Sequence, residues 1–141
     1  MAWTIYNNAK EQIALAGLNW SSATVRIMLV TSSYTPSIDS HNFVSDVSAN
    51  EISGGGYARQ TLAGQAVAQD NTNDRANLTA TNPTWTSLTN TFRYAIMYRF
   101  VTSDSDSWVI AYEDLGAQTI TAADFTIDFD GASSSDVLRY V

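Results

Sequence analysis

Strand-like patterns of apolar positions run through most of the chain. Residues 23–31 (ATVRIMLVT) are apolar and β-branched apart from Arg26, the pattern of a buried strand. Residues 57–69 alternate, with Tyr57, Arg59 and Thr61 against Ala58, Gln60 and Leu62. Residues 75–81 do the same, with Ala76, Leu78 and Ala80 on one side. Between them, Asp70, Asn71, Thr72, Asn73 and Asp74 form a turn by chemistry, because Asn and Asp tolerate left-handed backbone and bond their own main chain. The pair therefore predicts a β-hairpin. Residues 92–101 and 107–114 predict a second pair around the polar residues 102–106. A period of two puts Phe92, Tyr94, Ile96 and Tyr98 on one face, and Arg93, Ala95, Met97 and Arg99 on the other. Residues 125–129 and a last strand near 137–141, with Gly131 and residues 133–135 as the turn, complete the set.

Only the N-terminus departs from this pattern. Ile5, Ala9, Ile13 and Ala16 recur near helical spacing, which predicts one helix over residues 3–18 with Gly17 as its stop. Trp3 and Tyr6 would then share a face with Ile13, suited to packing across one end of a sheet. Six to eight strands, no βαβ alternation and no repeat predict a mainly β fold. The expected architecture is an antiparallel β-sandwich or flattened barrel with one short N-terminal helix, a single domain over residues 1–141.

Composition narrows the function classes. The chain has 141 residues, 45% apolar and 11% aromatic, enough to build a core that buries roughly 68–70% of the unfolded surface. Charged residues make up only 15%, so Ser, Thr and Asn must supply much of the polar surface. The net charge of −7 repels a phosphate backbone and excludes nucleic acid as an expected partner. Without cysteine there is no disulfide, thiolate metal site or thiol nucleophile. Residues 1–20 lack a basic segment followed by an unbroken apolar run, and no later stretch approaches the ~18 apolar residues of a membrane helix. The expectation is a soluble protein made in the cytoplasm, with no membrane partner.

Catalytic constellations are missing their parts. His41 is the sole histidine, it lies in a polar loop, and no G-x-S-x-G elbow accompanies it. A histidine metal site lacks further ligands. Glu51, Glu113 and Asp114 are the candidates for a paired-carboxylate glycosidase, with solvated surface as the simpler reading. Asp70, Asn71, Asn73 and Asp74, and Asp104, Asp106, Asp128 and Asp130, could offer oxygens to calcium. Turn chemistry explains both groups equally well. Gly54, Gly55 and Gly56 precede a strand without a following Lys and Ser/Thr, so they read as a flexible lead into Tyr57 rather than a phosphate cradle. No enzyme activity, cofactor or metal is expected. Trp85, Trp108 and exposed tyrosines would suit a glycan-binding module.

The long loop over residues 32–56 carries the most information. Pro36 stiffens its start, Asp39 and Ser40 favour a turn, and Phe43, Val44 and Val47 have the spacing of a helical turn that tucks onto a sheet, leaving Asp46 and Glu51 outward. Such a loop is ordered. It serves equally as a reach toward a neighbouring subunit or as a self-capped cover for a sheet edge. The run LVTSSY at 29–34, then Pro36, Asp39, His41 and Phe43, then SDVSANE at 45–51, Gly56, Tyr57 and Leu62 resembles a family of small tailed-phage virion proteins. Later elements match in order: 70–73, Asn77 with Leu78, 84–86, and the strands at 93–98 and 109–112. The resemblance spans about residues 25–129. It implies a structural role in the virion, most plausibly a capsid decoration (cement) protein that binds and stabilises the head shell. A tail-tube, tail-completion or fibre-associated subunit is the alternative. The implied partners are the major capsid protein or other virion subunits, and further copies in a homo-oligomer. Trp3, Tyr6, Tyr34, Phe43, Arg93 and Arg99 are the expected interface residues, although packing in the core competes for Trp3 and Tyr6.

Overall fold

The computed structural model describes residues 3–129 and 136–140. In chain order these form β1 (Thr4–Ile5), α1 (Asn7–Ala14), β2 (Val25–Val30), β3 (Gln60–Thr61), β4 (Ala66–Asp70), β5 (Arg75–Thr79), β6 (Thr84–Arg99), β7 (Trp108–Thr126) and β8 (Asp136–Tyr140). The fold is mainly β, with two antiparallel sheets arranged like a sandwich and one short N-terminal helix. The larger sheet has the order β1-β7-β6-β2-β3 and the smaller β4-β5-β8.

The larger sheet is apolar on both faces, and its strands follow from that. In β2, Val25, Ile27 and Leu29 enter one buried cluster, while Met28 and Val30 enter a second. This strand lies at the heart of the sheet, paired to β6 from Val25 opposite Arg99 to Val30 opposite Tyr94. The first cluster is completed by Trp20, Leu62, Trp85, Leu88, Phe92, Ile127 and Phe129. The second is closed by Tyr6, Tyr34, Val44 and Val47. Burying apolar side chains on two faces stabilises the sheet by roughly 25 cal/mol per Å² removed from water.

The polar stretch 84–91 extends β6 well beyond the apolar run that predicted it. Its Trp85 and Leu88 are buried, and its threonines pair across to β7, with Thr84 Oγ1 and Thr126 Oγ1 2.7 Å apart. The pairing of β6 with β7 slips at four places, one of them between Phe92 and Tyr94. Phe92 therefore leaves the face expected for it. It joins Ala95 and Met97 in the first cluster, while Tyr94, Ile96 and Tyr98 stay in the second. Simple alternation cannot anticipate a bulge.

The N-terminal helix is shorter than residues 3–18. Thr4 and Ile5, both β-branched, instead pair with Tyr112 and Ala111 at the edge of β7, and the Tyr6 N–H donates to the Ile110 carbonyl at 3.0 Å. Trp3 and Tyr6 consequently diverge. Trp3 packs near Phe129 beside the first cluster, and Tyr6 is fully buried in the second. The helix ends with Ala16 in the left-handed region (φ 57°), not with Gly17. The hairpin of β4 and β5 around residues 71–74 forms as the turn chemistry predicts, with Asp70 Oδ1 accepting from the Thr72 and Asn73 N–H groups. The last strand is β8, while the expected turn at Gly131 and residues 133–135 lies outside the described residues.

Candidate functional site

The loop between β2 and β3 is latched at its base and across its middle. Thr31 N–H donates to Asn50 O at 2.9 Å and Ile52 N–H to Leu29 O at 3.1 Å, so the two ends leave the sheet side by side. Midway, Val44 N–H donates to Ser107 O (2.8 Å), Ser45 N–H to Asp104 O (2.9 Å) and Val109 N–H to Asn42 O (3.1 Å), fastening the loop to the start of β7. Between these latches Val44 and Val47 are fully buried beneath two short 3-10 turns. Asp46 folds back, its Oδ2 accepting from the Asn42 and Phe43 N–H groups at 2.9 and 2.8 Å. Phe43 bridges to Trp108 at the middle latch and is 40% exposed, beside exposed Asn42 and Ser45.

Arg59 locks the loop's far end. Its guanidinium donates to both Asp104 oxygens (2.6 and 2.9 Å), to both Glu51 oxygens (2.8 and 2.6 Å) and to Tyr98 OH (3.3 Å). Planar, bidentate geometry of this kind gives the strongest ion pairs. The bonds to Asp104 and Glu51 raise the Arg59 pKa despite partial burial, and Arg59 in turn holds Asp104 below the usual carboxylate range. Tyr57 completes the lock: its OH donates to Glu51 Oε1 at 2.6 Å and accepts from the Leu29 N–H at 3.1 Å. Burial first, and the bond to Glu51 second, push its phenol well above the ordinary range.

A second network runs beneath the loop's first half. The Tyr6 and Tyr34 hydroxyls lie 2.7 Å apart, and Tyr34 OH is 2.8 Å from His41 Nδ1. Burial chiefly pushes Tyr34 up to about 12. Asn7 at the start of α1 joins the same loop, donating from its side chain to Asp39 (2.6 Å) and from its main chain to Ile38 O (3.1 Å). His41 thus helps hold Tyr34 in place.

The expected interface residues separate into two groups. Tyr6 and Tyr34 are 0% and 3% exposed, so they belong to the core and offer no contact surface. For Tyr6 the competing core reading from the sequence holds, whereas Tyr34 lies in a polar loop whose residues carry no sign of its burial. Trp3 is half-buried against Phe129. Phe43 is exposed. Arg93 is tied to Asp114 by two bonds of 2.9 and 2.8 Å, and Arg99 lies 5.8 Å over the Trp108 ring. These two arginines are on opposite ends of the β6 apolar run rather than in one patch. Glu51 does not face outward as expected, because Arg59 draws it inward.

Other candidates are accounted for by packing. Trp85 and Trp108 are 1% and 6% exposed, and Trp85 Nε1 donates to Ala58 O at 2.7 Å, so neither presents a face for a sugar ring. Glu51 is spoken for by Arg59 and Tyr57, and Asp114 by Arg93. Asp70 is bonded by Asn73 and Arg75, and Asp106 by Thr102 and Ser103, which holds each carboxyl down at about 2. Among the described residues no three His, Asp or Glu side chains gather as metal ligands, and Asp130 lies outside them. Gly54, Gly55 and Gly56 do adopt left-handed angles, but the run is docked rather than loose. Gly55 O accepts from Thr89 N–H at 2.8 Å, and a Cβ on Gly55 would sit 1.9 Å from Thr89 O. The residues sequence reasoning missed are Arg59 and Asp104, which are 45 positions apart. A lone arginine in an alternating strand was the available signal.

No helix is long and apolar enough to cross a membrane among the described residues. No family model, curated protein or solved structure matches this chain.

Proposed function

We propose that this protein is a non-enzymatic structural component of a phage virion, a capsid decoration protein that binds the assembled head shell and stabilises it. The observation that carries the reading is the loop 31–57. Thr31, Ser45, Asn50, Glu51 and Tyr57, all among the residues that resemble the phage family, take part in latching that loop into one shape, and Phe43, another of them, is 40% exposed. A loop held in advance by its latches loses little conformational freedom on binding, which favours tight association with a repeated lattice. Binding to the mature shell but not to its separated or unexpanded subunits then stabilises the shell by mass action.

Phage particles lacking this protein should lose infectivity at a lower temperature than complete ones, and purified protein added back should restore it. Phe43→Ala should bind those particles about tenfold more weakly, the effect of losing one exposed aromatic anchor. Deficient particles as heat-resistant as complete ones would overturn the cementing role.

A further inference from the structure

The two sheets treat their edges differently. The larger one ends in β1 and β3, each only two residues long, a common device against edge-to-edge pairing. The smaller one ends on one side in β4, five residues in unbroken register with β5 and no bulge. Ala66, Val67, Ala68 and Gln69 are all exposed, and among the described residues no strand pairs with β4 on the side away from β5. No Lys or Pro guards this edge. Its single charge, Asp70, sits at the end and is paired to Arg75 at 2.9 Å.

The face beside this edge is apolar. Val67, Ala76 and Leu78 form one wall of a groove of about 450 Å³, with Ile13, Leu18 and Trp20 across it. Val67 is 51% exposed, and Leu15, next to groove-lining Ala16, is 68% exposed. These are two of the four large exposed apolar side chains of the described residues.

We propose that β4 is a self-association edge, pairing antiparallel with β4 of a second copy to make a six-stranded sheet across a two-fold axis. A second copy fits because the strand is complementary to itself. Centred on Ala68, the pairing sets Ala68 opposite Ala68, Val67 opposite Gln69 and Ala66 opposite Asp70. Small side chains therefore meet at the axis, and no like charges face each other. Two acidic molecules of charge −7 repel in general. Joining through the neutral strand keeps carboxylates out of the seam. The contact is isologous, so the β4 edge of each copy is used up by the other. This inference is independent of the virion role.

The test is the mass of the full chain in solution, by sedimentation velocity over a range of micromolar concentrations, with Ala68→Lys and Val67→Lys beside it. The wild type should reach twice the 15.4 kDa chain mass. Ala68→Lys, which sets two ammonium groups together at the axis on an exposed position, should remain at one chain mass with an unchanged circular dichroism spectrum. Amide hydrogen exchange of the wild type supplies a check that needs no variant. Alternate amides of β4 should exchange at least about tenfold more slowly at high than at low concentration, as newly paired backbone does. A monomer at every concentration overturns the proposal. So does an oligomer of any size whose mass survives both substitutions, or whose β4 amides exchange at a concentration-independent rate.

Discussion

Arg59 bonds Glu51 at the end of the long loop, Asp104 in the turn before β7 and Tyr98 in the sheet beneath. Arg59→Ala should therefore loosen three segments together and leave Glu51, only 17% exposed at its side chain, without its cation. The expected cost is about 1–3 kcal/mol in chemical denaturation, the penalty for a partly buried group left unsatisfied. Amides at 44–52 should lose exchange protection more than amides of β2. The glycines offer a sharper contrast. Gly54 and Gly55 have nearly the same φ, 67° and 58°, but a Cβ on Gly54 meets nothing within 4 Å, whereas one on Gly55 overlaps Thr89 O. Gly54→Ala should cost roughly 1–2 kcal/mol, the left-handed backbone penalty alone. Gly55→Ala should cost distinctly more, read as the difference between their denaturation midpoints.

Titration at both extremes of pH follows from the same side chains. Asp70 and Asp106 are lowered to about 2 by their turn bonds, and Asp104 is lowered by Arg59. A carboxylate depressed in the folded state contributes stability above its unfolded value near 3.8, which is lost as pH falls through the folded one. Stability should thus decline between about pH 4 and 2. The tyrosines have the opposite sign. Tyr34 is raised from 10.0 to about 12, and Tyr6 and Tyr57 are raised further, all chiefly by burial. Their contribution is complete below pH 10.0 and is lost as pH rises through about 12. Tyrosinate absorbance should show these phenols ionising only as the fold opens.

At the scale of elements, the long ribbon of β6 and β7 carries the first core. Phe92 stacks edge-on to Phe125, with ring centroids 4.8 Å apart. Phe92→Ala should cost about 3–5 kcal/mol, the range for a deleted buried aromatic, and lower the melting temperature accordingly. The ribbon also marks what the chain declares and what it hides. Residues 25–30 and 94–98 were legible as strands because continuous apolar runs leave a strand little alternative to burial on both faces. The Asp70–Asp74 turn was legible because its residues carry their own hydrogen-bond acceptors. Residues 84–91 and 115–124 were not, since exposed threonines satisfied across a ladder look like loop in one dimension, and of the segment expected at 125–129 only Phe125 and Thr126 belong to a strand. Phe92 was misplaced for a related reason: register slips arise from pairing two strands and belong to neither alone. In the loop, the burial of Val44 and Val47 could be foreseen from spacing, whereas the Arg59 lock depends on distant residues that only the folded chain brings together.

At the scale of the whole molecule, the long loop supplies Val44 and Val47 to the cluster on one face of the larger sheet, and Trp20, Trp85, Leu88 and Phe129 belong to the cluster on the other. The surface left over is acidic, sparing in charge, and marked by the exposed Phe43 of the latched loop and an open edge at β4. Those two features lie on different elements, so one can meet a lattice while the other meets a second copy. The central claim is decoration of a capsid, and cryo-electron microscopy of phage particles carrying this protein tests it most directly. The account predicts density for the 15.4 kDa chain at repeated positions on the head, with the loop 31–57 against the shell subunits. Density confined to the tail, or none on the particle, would contradict it.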